Sequence, residues 1–151
     1  MRVLLLGGGG REHAMALAIS ASPHLTSLTV APGNPGIARI APIISLPAIA
    51  DVLAWLQHHP CDLVVIGPEA PLAAGWSDQI RATGVPVFGA SQSAARLESS
   101  KGFAKQIMQR VGVPTAAFRV FDAADNASAF VRQSGQGWVV KARSEEHTSE
   151  L

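Results

Sequence analysis

Cysteine is nearly absent from this sequence, since Cys61 is the only one among 151 residues. A lone cysteine forms no internal disulfide, which is typical of a reducing compartment. Long hydrophobic runs are missing as well, because the first apolar stretch, 2–6, ends at a glycine. Such a run is too short for the core of a signal peptide and for a membrane span. We therefore expect a globular cytoplasmic protein that has no membrane partner.

The sequence also has no surplus of one charge sign. Its 12 Lys and Arg residues balance 11 Asp and Glu residues, and the basic ones are scattered. This distribution argues against a nucleic-acid partner and against an anionic membrane surface. An anionic ligand would have to be bound by local groups. Because 48% of the residues are hydrophobic, the chain can bury a core.

Short apolar runs alternate with helical segments in the first part of the chain. The runs lie at 2–6, 27–31, 62–66 and 85–88. This alternation predicts βαβ units, and therefore an α/β fold with a doubly wound, mostly parallel sheet. Helical spacing predicts the buried faces of two helices: Ile49, Val52, Leu53 and Leu56 within 47–58, and Ala14, Leu17 and Ala18 in the first helix.

The pattern changes after Phe88, where the sequence predicts a short helix up to about Glu98 and then a second unit that starts near residue 99. The elements predicted for that unit are a helix capped by Ser99 or Ser100 with Phe103, Ile107, Met108 and Val111 along it, a strand at 115–121, a helix capped by Asp122 with Ala127, Phe130 and Val131 inward, and a strand at 138–142. So few elements bury little surface. We interpret the unit as the beginning of a truncated domain.

The last nine residues, RSEEHTSEL at 143–151, have neither helical nor strand periodicity. They follow directly after a strongly apolar run. We interpret them as a non-native tail and leave them out of the fold.

Four consecutive glycines open the segment GGGGREHA at 7–14, between the first strand and the first helix. Bare backbone N–H groups at a helix N-terminus attract a phosphate, so the run predicts an anion cradle. A tight turn without a ligand is the alternative. The first-turn Glu12 is equally explained by the helix dipole, and His13 by a structural role.

A dinucleotide site is disfavoured by two absences. The pattern G-x-G-x-x-G is incomplete, because its last position falls on Glu12 or His13. The second strand ends in Ala31, Pro32 and Gly33, without the acidic residue that holds the ribose hydroxyls of a nicotinamide cofactor. The sequence therefore argues against a dinucleotide oxidoreductase.

Two further loops follow strands of the predicted sheet: APGNPG at 31–36 and GPEAPLAAG at 67–75. The carboxyl ends of parallel strands meet at one edge of a sheet, so both loops should converge with the glycine run in one crevice. Asn34 offers an amide that donates and accepts, and Glu69 a carboxylate that can bind hydroxyls or an amine. The combination suits a small phosphorylated ligand with hydroxyl groups.

Together the motifs GGGGREHA, APGNPG, VIGPEAPLAAG, FGAS and LESSKGFAK resemble the phosphoribosylamine–glycine ligases, the glycinamide ribonucleotide synthetases of purine biosynthesis. The resemblance covers residues 1–142. It implies a Rossmann-like pre-ATP-grasp domain at 1–98, followed by an incomplete ATP-grasp α+β segment at 99–142. Such enzymes join glycine to 5-phosphoribosylamine with ATP through glycyl phosphate, and the resemblance further implies a monomer.

The resemblance also implies the residues that bind the substrates, with no residue assigned to general acid or base catalysis. Those implied to contact 5-phosphoribosylamine are Gly8, Gly9, Gly10, Arg11, Glu12, Asn34, Pro35, Gly36, Pro68 and Glu69. Lys105 and Lys141 are implied to reach the phosphates of ATP, where ammonium groups stabilise developing charge. Judged from the sequence alone, Lys105 is equally well a solvated helix lysine.

The sequence departs from the family after Ala142. There the family continues with an aspartate and a glycine-rich loop that covers the ATP phosphates, whereas this chain continues with Arg143 and Ser144. The acidic ligands for the Mg²⁺ or Mn²⁺ of the full-length enzyme are also missing. Because phosphoryl transfer depends on that electrostatic stabilisation, we expect the chain alone to bind the phosphoribosyl substrate without being a competent ligase.

Two alternatives stay open. One is a non-catalytic module that binds a phosphorylated ligand or a nucleotide. The other is a different ATP-grasp enzyme of purine biosynthesis, which should lack the APGNPG motif.

Overall fold

A computed structural model describes residues 1–135 and 137–141. The chain divides into two compact units, Met1–Ala95 and a second that begins at Arg96. In chain order the elements are β1 (Arg2–Gly7), α1 (Gly10–Ser20), β2 (Ser27–Pro32), a 3₁₀ helix (Ile37–Arg39), α2 (Ile49–His58), β3 (Leu63–Ile66), α3 (Glu69–Ala73), α4 (Trp76–Arg81), β4 (Val87–Phe88), α5 (Gln92–Ser99), α6 (Lys101–Arg110) and α7 (Ala124–Ser134). Within the described residues, no helix has the length and apolar character needed to cross a membrane.

The first unit is built on a four-stranded parallel sheet in the order β2-β1-β3-β4. Leu5 of β1 pairs with Val30 of β2 on one side and with Val65 of β3 on the other. The four apolar runs read from the sequence are therefore confirmed as strands. Because all four strands are parallel, their carboxyl ends lie along one edge.

Alternate residues of β1 face two separate cores. Val3 and Leu5 pack with Ala16 of α1 on one face of the sheet, while Leu4 and Leu6 pack with α2 and α4 on the other. Leu4 and Leu5 are both fully buried, and burial of each such side chain is worth about 2 kcal/mol. Helices on both faces confirm the predicted doubly wound α/β fold.

The buried face of α1 differs from the prediction. Ala14 and Ala18 are exposed and Leu17 is 55% exposed, whereas Ala16 is fully buried. The face against the sheet is formed by Glu12, Met15, Ala16 and Ile19. The prediction was wrong because alanine and aliphatic residues occur on both sides of this helix, so spacing alone selects neither side.

In the second unit the first predicted cap is confirmed, because the Ser100 hydroxyl accepts the Phe103 N–H at the start of α6. The cap predicted at Asp122 is wrong. Helix α7 has Ala123 as its N-cap, with no side-chain hydrogen bond. Its inward residues Ala127, Phe130 and Val131 are half-buried, as expected.

Neither strand predicted for the second unit forms in the described residues. Residues 113–121 and 137–141 have no regular secondary structure. Both segments have the composition of strands, but a strand exists only when a partner strand takes up its N–H and C=O groups. Residue 142 and the predicted tail at 143–151 lie outside the described residues.

Candidate functional site

Three loops meet at the carboxyl edge of the sheet. The Gly33 N–H donates to the Gly7 carbonyl (3.2 Å), and the Gly67 N–H donates to the Leu6 carbonyl (3.1 Å). The Arg11 guanidinium donates through Nη1 to the Gly67 carbonyl at 2.8 Å. The loops after β1, β2 and β3 are therefore joined by hydrogen bonds, as parallel pairing predicts.

Asn34 fixes the loop after β2 against the glycine run. Its Nδ2 donates to the Gly8 carbonyl (2.9 Å), and its Oδ1 accepts the Ile37 N–H (2.9 Å). Both ends of the amide are thus engaged with backbone. In the structure Asn34 is a connector between loops, and its contact with a substrate stays a prediction.

The glycines of the run differ in what surrounds them. A Cβ placed on Gly8 would lie 2.5 Å from the Gly33 carbonyl oxygen, and one on Gly9 would lie 2.9 Å from Glu12 Oε2. A Cβ on Gly10 would meet nothing within 4 Å. Gly8 is therefore required by a close backbone approach, whereas Gly10 faces open space.

Glu12 is buried at the start of α1, with 4% of its surface exposed. Its Oε2 accepts the N–H of the N-cap residue Gly9 at 2.7 Å, which forms the carboxylate half of a capping box. Side chains added to Gly7 or Gly67 would overlap the Glu12 side chain. Those two glycines therefore make room for a protein carboxylate.

An open cleft of about 310 Å³ lies beside these groups. It is lined by Gly9, Gly10, Arg11, Glu12, Pro68 and Glu69. Pro68 is the N-cap of α3 and the exposed Glu69 is its first residue, so the segment predicted as a loop at 67–75 contains a short helix. Six of the ten predicted substrate contacts are thus brought together in one cleft.

The cleft combines two chemistries. The N–H groups of Gly10, Arg11 and Glu12 belong to the first turn of α1, where no intrahelical acceptor is available, so they favour an anion or a polar oxygen. The opposite charge preference comes from the carboxylate of the exposed Glu69, which can accept hydrogen bonds from hydroxyl or amine groups. A ligand that carries both kinds of group fits this arrangement.

The other four predicted contacts lie outside the cleft lining. Gly8 and Asn34 form the loop junction described above. Pro35 is exposed, and Gly36 packs on His13, because a Cβ at Gly36 would lie 2.5 Å from His13 Cε1. His13 thus lies against Gly36, and its structural role stays a prediction.

The two predicted ATP lysines belong to the second unit. Lys105 lies in α6 and its ammonium donates to Thr115 Oγ1 (2.5 Å) and to the Ala116 carbonyl (3.2 Å). Lys141 is exposed in a segment without regular structure. Lys105 is therefore tied to its own unit, and its contact with ATP stays a prediction.

Cys61 lies just before β3, half-buried, and its thiol donates to the Leu63 carbonyl at 3.3 Å. Burial raises the pKa of this thiol above its usual value. Because the thiolate is the reactive form, the position favours a structural cysteine.

No group of three or more His, Cys, Asp or Glu side chains that could hold a metal ion occurs in residues 1–135 and 137–141. The described residues therefore offer no cluster of side chains for the Mg²⁺ or Mn²⁺ that the resemblance implies in the full-length enzyme.

Sequence reasoning missed the role of Gly67 and the way Glu12 is used. A signal was available, because Glu12 stands three residues after the N-cap Gly9, the spacing of a capping box. The contact with Gly67 had no such signal, since it links positions 55 residues apart in the chain.

Two family models match the chain. Residues 1–98 match "Phosphoribosylglycinamide synthetase, N domain", and residues 99–145 match "Phosphoribosylglycinamide synthetase, ATP-grasp (A) domain". Among curated relatives, the phosphoribosylamine–glycine ligases of Rhizobium meliloti and Mesorhizobium japonicum are 51% and 52% identical over 144 residues. These matches cover 94% of this chain and 34% of each relative. The chain thus spans about a third of the length of the curated relatives it matches.

Solved structures give the same picture of the fold. The crystal structure of phosphoribosylamine–glycine ligase from Thermotoga maritima is 28% identical, with a TM-score of 0.67, and covers 87% of this chain and 30% of that one. N5-carboxyaminoimidazole ribonucleotide synthetase from Thermus thermophilus also has a TM-score of 0.67, at 18% identity, with 88% of this chain and 36% of that one covered. The second likeness concerns the fold alone.

Proposed function

This chain belongs to the phosphoribosylglycinamide synthetase family, and we propose that it forms the ribosylamine-binding part of an ATP-dependent ligase that joins glycine to 5-phosphoribosylamine. The γ-phosphoryl group of ATP moves to the glycine carboxylate, which leaves ADP and glycyl phosphate. The ribosylamine nitrogen then attacks the acyl carbon, phosphate departs and the nitrogen loses a proton. The product is glycinamide ribonucleotide, an intermediate of purine biosynthesis.

The cleft at the carboxyl edge of the sheet is the observation that carries the proposal. Its free first-turn amides suit phosphate or hydroxyl oxygens, and the carboxylate of Glu69 suits the amine and the ribose hydroxyls. Phosphoribosylamine has all three kinds of group. The chain's contribution is then to bind and orient the nucleophile, a source of rate enhancement that needs no proton transfer by the protein.

The domain organisation belongs to the same proposal. Residues 1–98 bind the phosphoribosyl substrate, and residues 99–142 begin the ATP-grasp domain, where Lys105 and Lys141 reach ATP phosphates. For Lys105 this requires that its ammonium exchange Thr115 and Ala116 for phosphate oxygens. The segment 143–151 is proposed to take no part in binding.

The proposal is tested by Gly10→Ala in the 151-residue chain, titrated calorimetrically with glycinamide ribonucleotide. A methyl group at Gly10 meets no protein atom within 4 Å, and alanine in a helix is favoured over glycine by up to about 1 kcal/mol. The fold should therefore be retained. Binding should weaken at least tenfold, because the methyl group keeps the ligand away from the bare amides.

Gly102→Ala is the matched control. Gly102 is also in the first turn of a helix, α6, and a Cβ there would make only an ordinary 3.4 Å contact with Val120. Its affinity should equal that of the unaltered chain. Equal binding by the Gly10→Ala chain would show that the glycine run is not the ligand surface, and absence of binding by the unaltered chain would refute the proposed role of the cleft in this chain.

A further inference from the structure

We propose that Glu12 is a positioning residue that fixes the glycine run against the turn after β3. We call this arrangement the Glu12 brace, and it consists of Glu12 with Gly7, Gly9, Gly67 and Pro68. The resemblance implies a substrate contact for Glu12. The brace instead assigns its carboxyl group to a hydrogen bond with the Gly9 N–H and to packing against Gly67.

One oxygen of the carboxylate is held by the glycine run. Oε2 accepts the Gly9 N–H at 2.7 Å. Glu12 itself is buried, with only 4% of its surface exposed. A hydrogen bond to a carboxylate is stronger than one between neutral groups. This bond takes the Gly9 amide out of the set available to a ligand, so that set begins at Gly10.

The rest of the side chain is enclosed by the turn after β3. The three atoms nearest to a Cβ built on Gly67 are Oε1, Cδ and Cγ of Glu12, all too close to be accommodated without movement. A Cβ on Gly7 would likewise overlap Glu12 and come within 2.9 Å of Pro68 Cδ. Glu12 therefore fills the space between the two loops that line the cleft.

A second capping box in the same unit shows that capping alone does not demand this enclosure. At the start of α2, Asp51 Oδ2 accepts the Ala48 N–H at 3.0 Å, yet Asp51 is exposed. Glu12 makes the same bond and in addition is buried against Gly67. The additional packing couples the position of α1 to the position of Pro68 and Glu69.

The brace itself rests on geometry, while its consequence for ligand binding rests on the proposed function. The cleft is bounded by Gly9 and Gly10 on one loop and by Pro68 and Glu69 on the other. A shift of an ångström between reactive or binding groups is enough to weaken their joint action. Loss of the brace should therefore weaken ligand binding without removal of any group that touches the ligand.

The geometry is tested by a double-mutant cycle on the 151-residue chain, measured as urea midpoints for Gly67→Ala, Glu12→Ala and the double variant. Gly67→Ala should lower the midpoint strongly when Glu12 is present. In the Glu12→Ala chain the space is vacant, so the second substitution should lower the midpoint little or raise it. If the decrease in urea midpoint of the double variant equals the sum of the two single decreases, the brace is wrong.

The positioning role is tested by titration of the same chain with glycinamide ribonucleotide. Glu12→Ala should weaken binding at least tenfold. Glu12→Gln keeps an acceptor for the Gly9 N–H and nearly the same shape, so its affinity should lie within threefold of that of the unaltered chain. The control Asp51→Ala loses a capping bond of the same kind and should bind normally. If Glu12→Gln binds as poorly as Glu12→Ala, the carboxylate charge contacts the ligand and the positioning role is wrong.

The double-mutant cycle and the ligand titration distinguish failure of this inference from failure of the proposed function. If the unaltered chain does not bind glycinamide ribonucleotide, the proposed role of the cleft fails, and the cycle still decides the brace. If the ligand binds and the cycle is additive, the function stands and the brace is wrong.

Discussion

At the scale of single residues, the first strand is anchored by one ion pair. Arg2 Nη2 donates to Asp62 Oδ1 at 2.6 Å, and the Arg2 backbone N–H donates to Asp62 Oδ2 at 2.7 Å. Both side chains are partly exposed, at 45% and 37%. These bonds from Arg2 lower the pKa of Asp62 from 3.8 to about 2.

This shift predicts a specific loss of stability in acid. Because the pKa is lower in the folded chain, the ion pair stabilises the fold above about pH 4 and ceases to do so as the pH falls through about 2. The difference in urea midpoint between the unaltered chain and Asp62→Asn should be constant near neutrality and should narrow from pH 4 to pH 2. Since the ion pair is partly exposed, high salt should also reduce the difference in urea midpoint between the two chains. A difference that stays the same down to pH 2 would contradict the assignment.

The glycine run shows how far residue-level prediction reaches. Four glycines in a row predicted a need for bare backbone, and that was correct at Gly8, which approaches the Gly33 carbonyl. The sequence could not show that Gly7 accommodates Glu12 or that Gly10 faces open space, because both facts depend on which loops the sheet brings together. Strand pairing is a long-range property, so neighbours across loops are not encoded in spacing.

At the scale of elements, α4 holds the connection that leads from β4 into α5. Arg81 Nη2 donates to the carbonyls of Gly89 (2.5 Å) and Val87 (3.2 Å). On the same helix, Asp78 Oδ2 accepts the N–H of Gln92, the first residue of α5, at 2.9 Å. One short helix therefore satisfies backbone groups at both ends of the connection.

Removal of the guanidinium should loosen this connection. Arg81→Met keeps the aliphatic stem and should lower the free energy of unfolding by about 1 kcal/mol, since partly exposed hydrogen bonds contribute modestly. Asp78→Asn is the milder comparison, because the amide oxygen can still accept the Gln92 N–H. Urea denaturation measures both values. A larger loss for Asp78→Asn than for Arg81→Met would mean that the bond between Asp78 and the Gln92 N–H, and not the carbonyl contacts of Arg81, holds the connection.

The elements that were predicted correctly are those whose identity is local. Strands β1 and β3 are short apolar runs bounded by polar residues or glycine. Helix α2 has its large apolar residues on one face, with Val52 at its buried centre. Helix α1 has small apolar residues on both faces, so its orientation was settled by the sheet and was misjudged. The segment 115–121 has strand composition but pairs with no strand in the described residues, because composition supplies no partner.

At the scale of the whole molecule, the second unit presents much apolar surface. Several of its aliphatic residues are about half or more exposed: Val111, Val113, Val120, Val139 and Val140. Apolar patches of this kind favour association. In the first unit, Phe88 is the largest comparable side chain among the described residues, at 66% exposed.

The exposed valines of the second unit predict that its removal lowers self-association. A chain of residues 1–98 keeps the parallel sheet and both of its cores, so it should unfold cooperatively and sediment as a monomer. The 151-residue chain should show a sedimentation coefficient that rises with concentration. Val139→Lys with Val140→Lys in the longer chain is the matched variant, and it should reduce the association because two exposed apolar side chains become charged. If the 1–98 chain associates as strongly as the longer one, the surface responsible lies on the first unit, around Phe88. Removal of the residues after 98 would then not reduce self-association, and the prediction would be wrong.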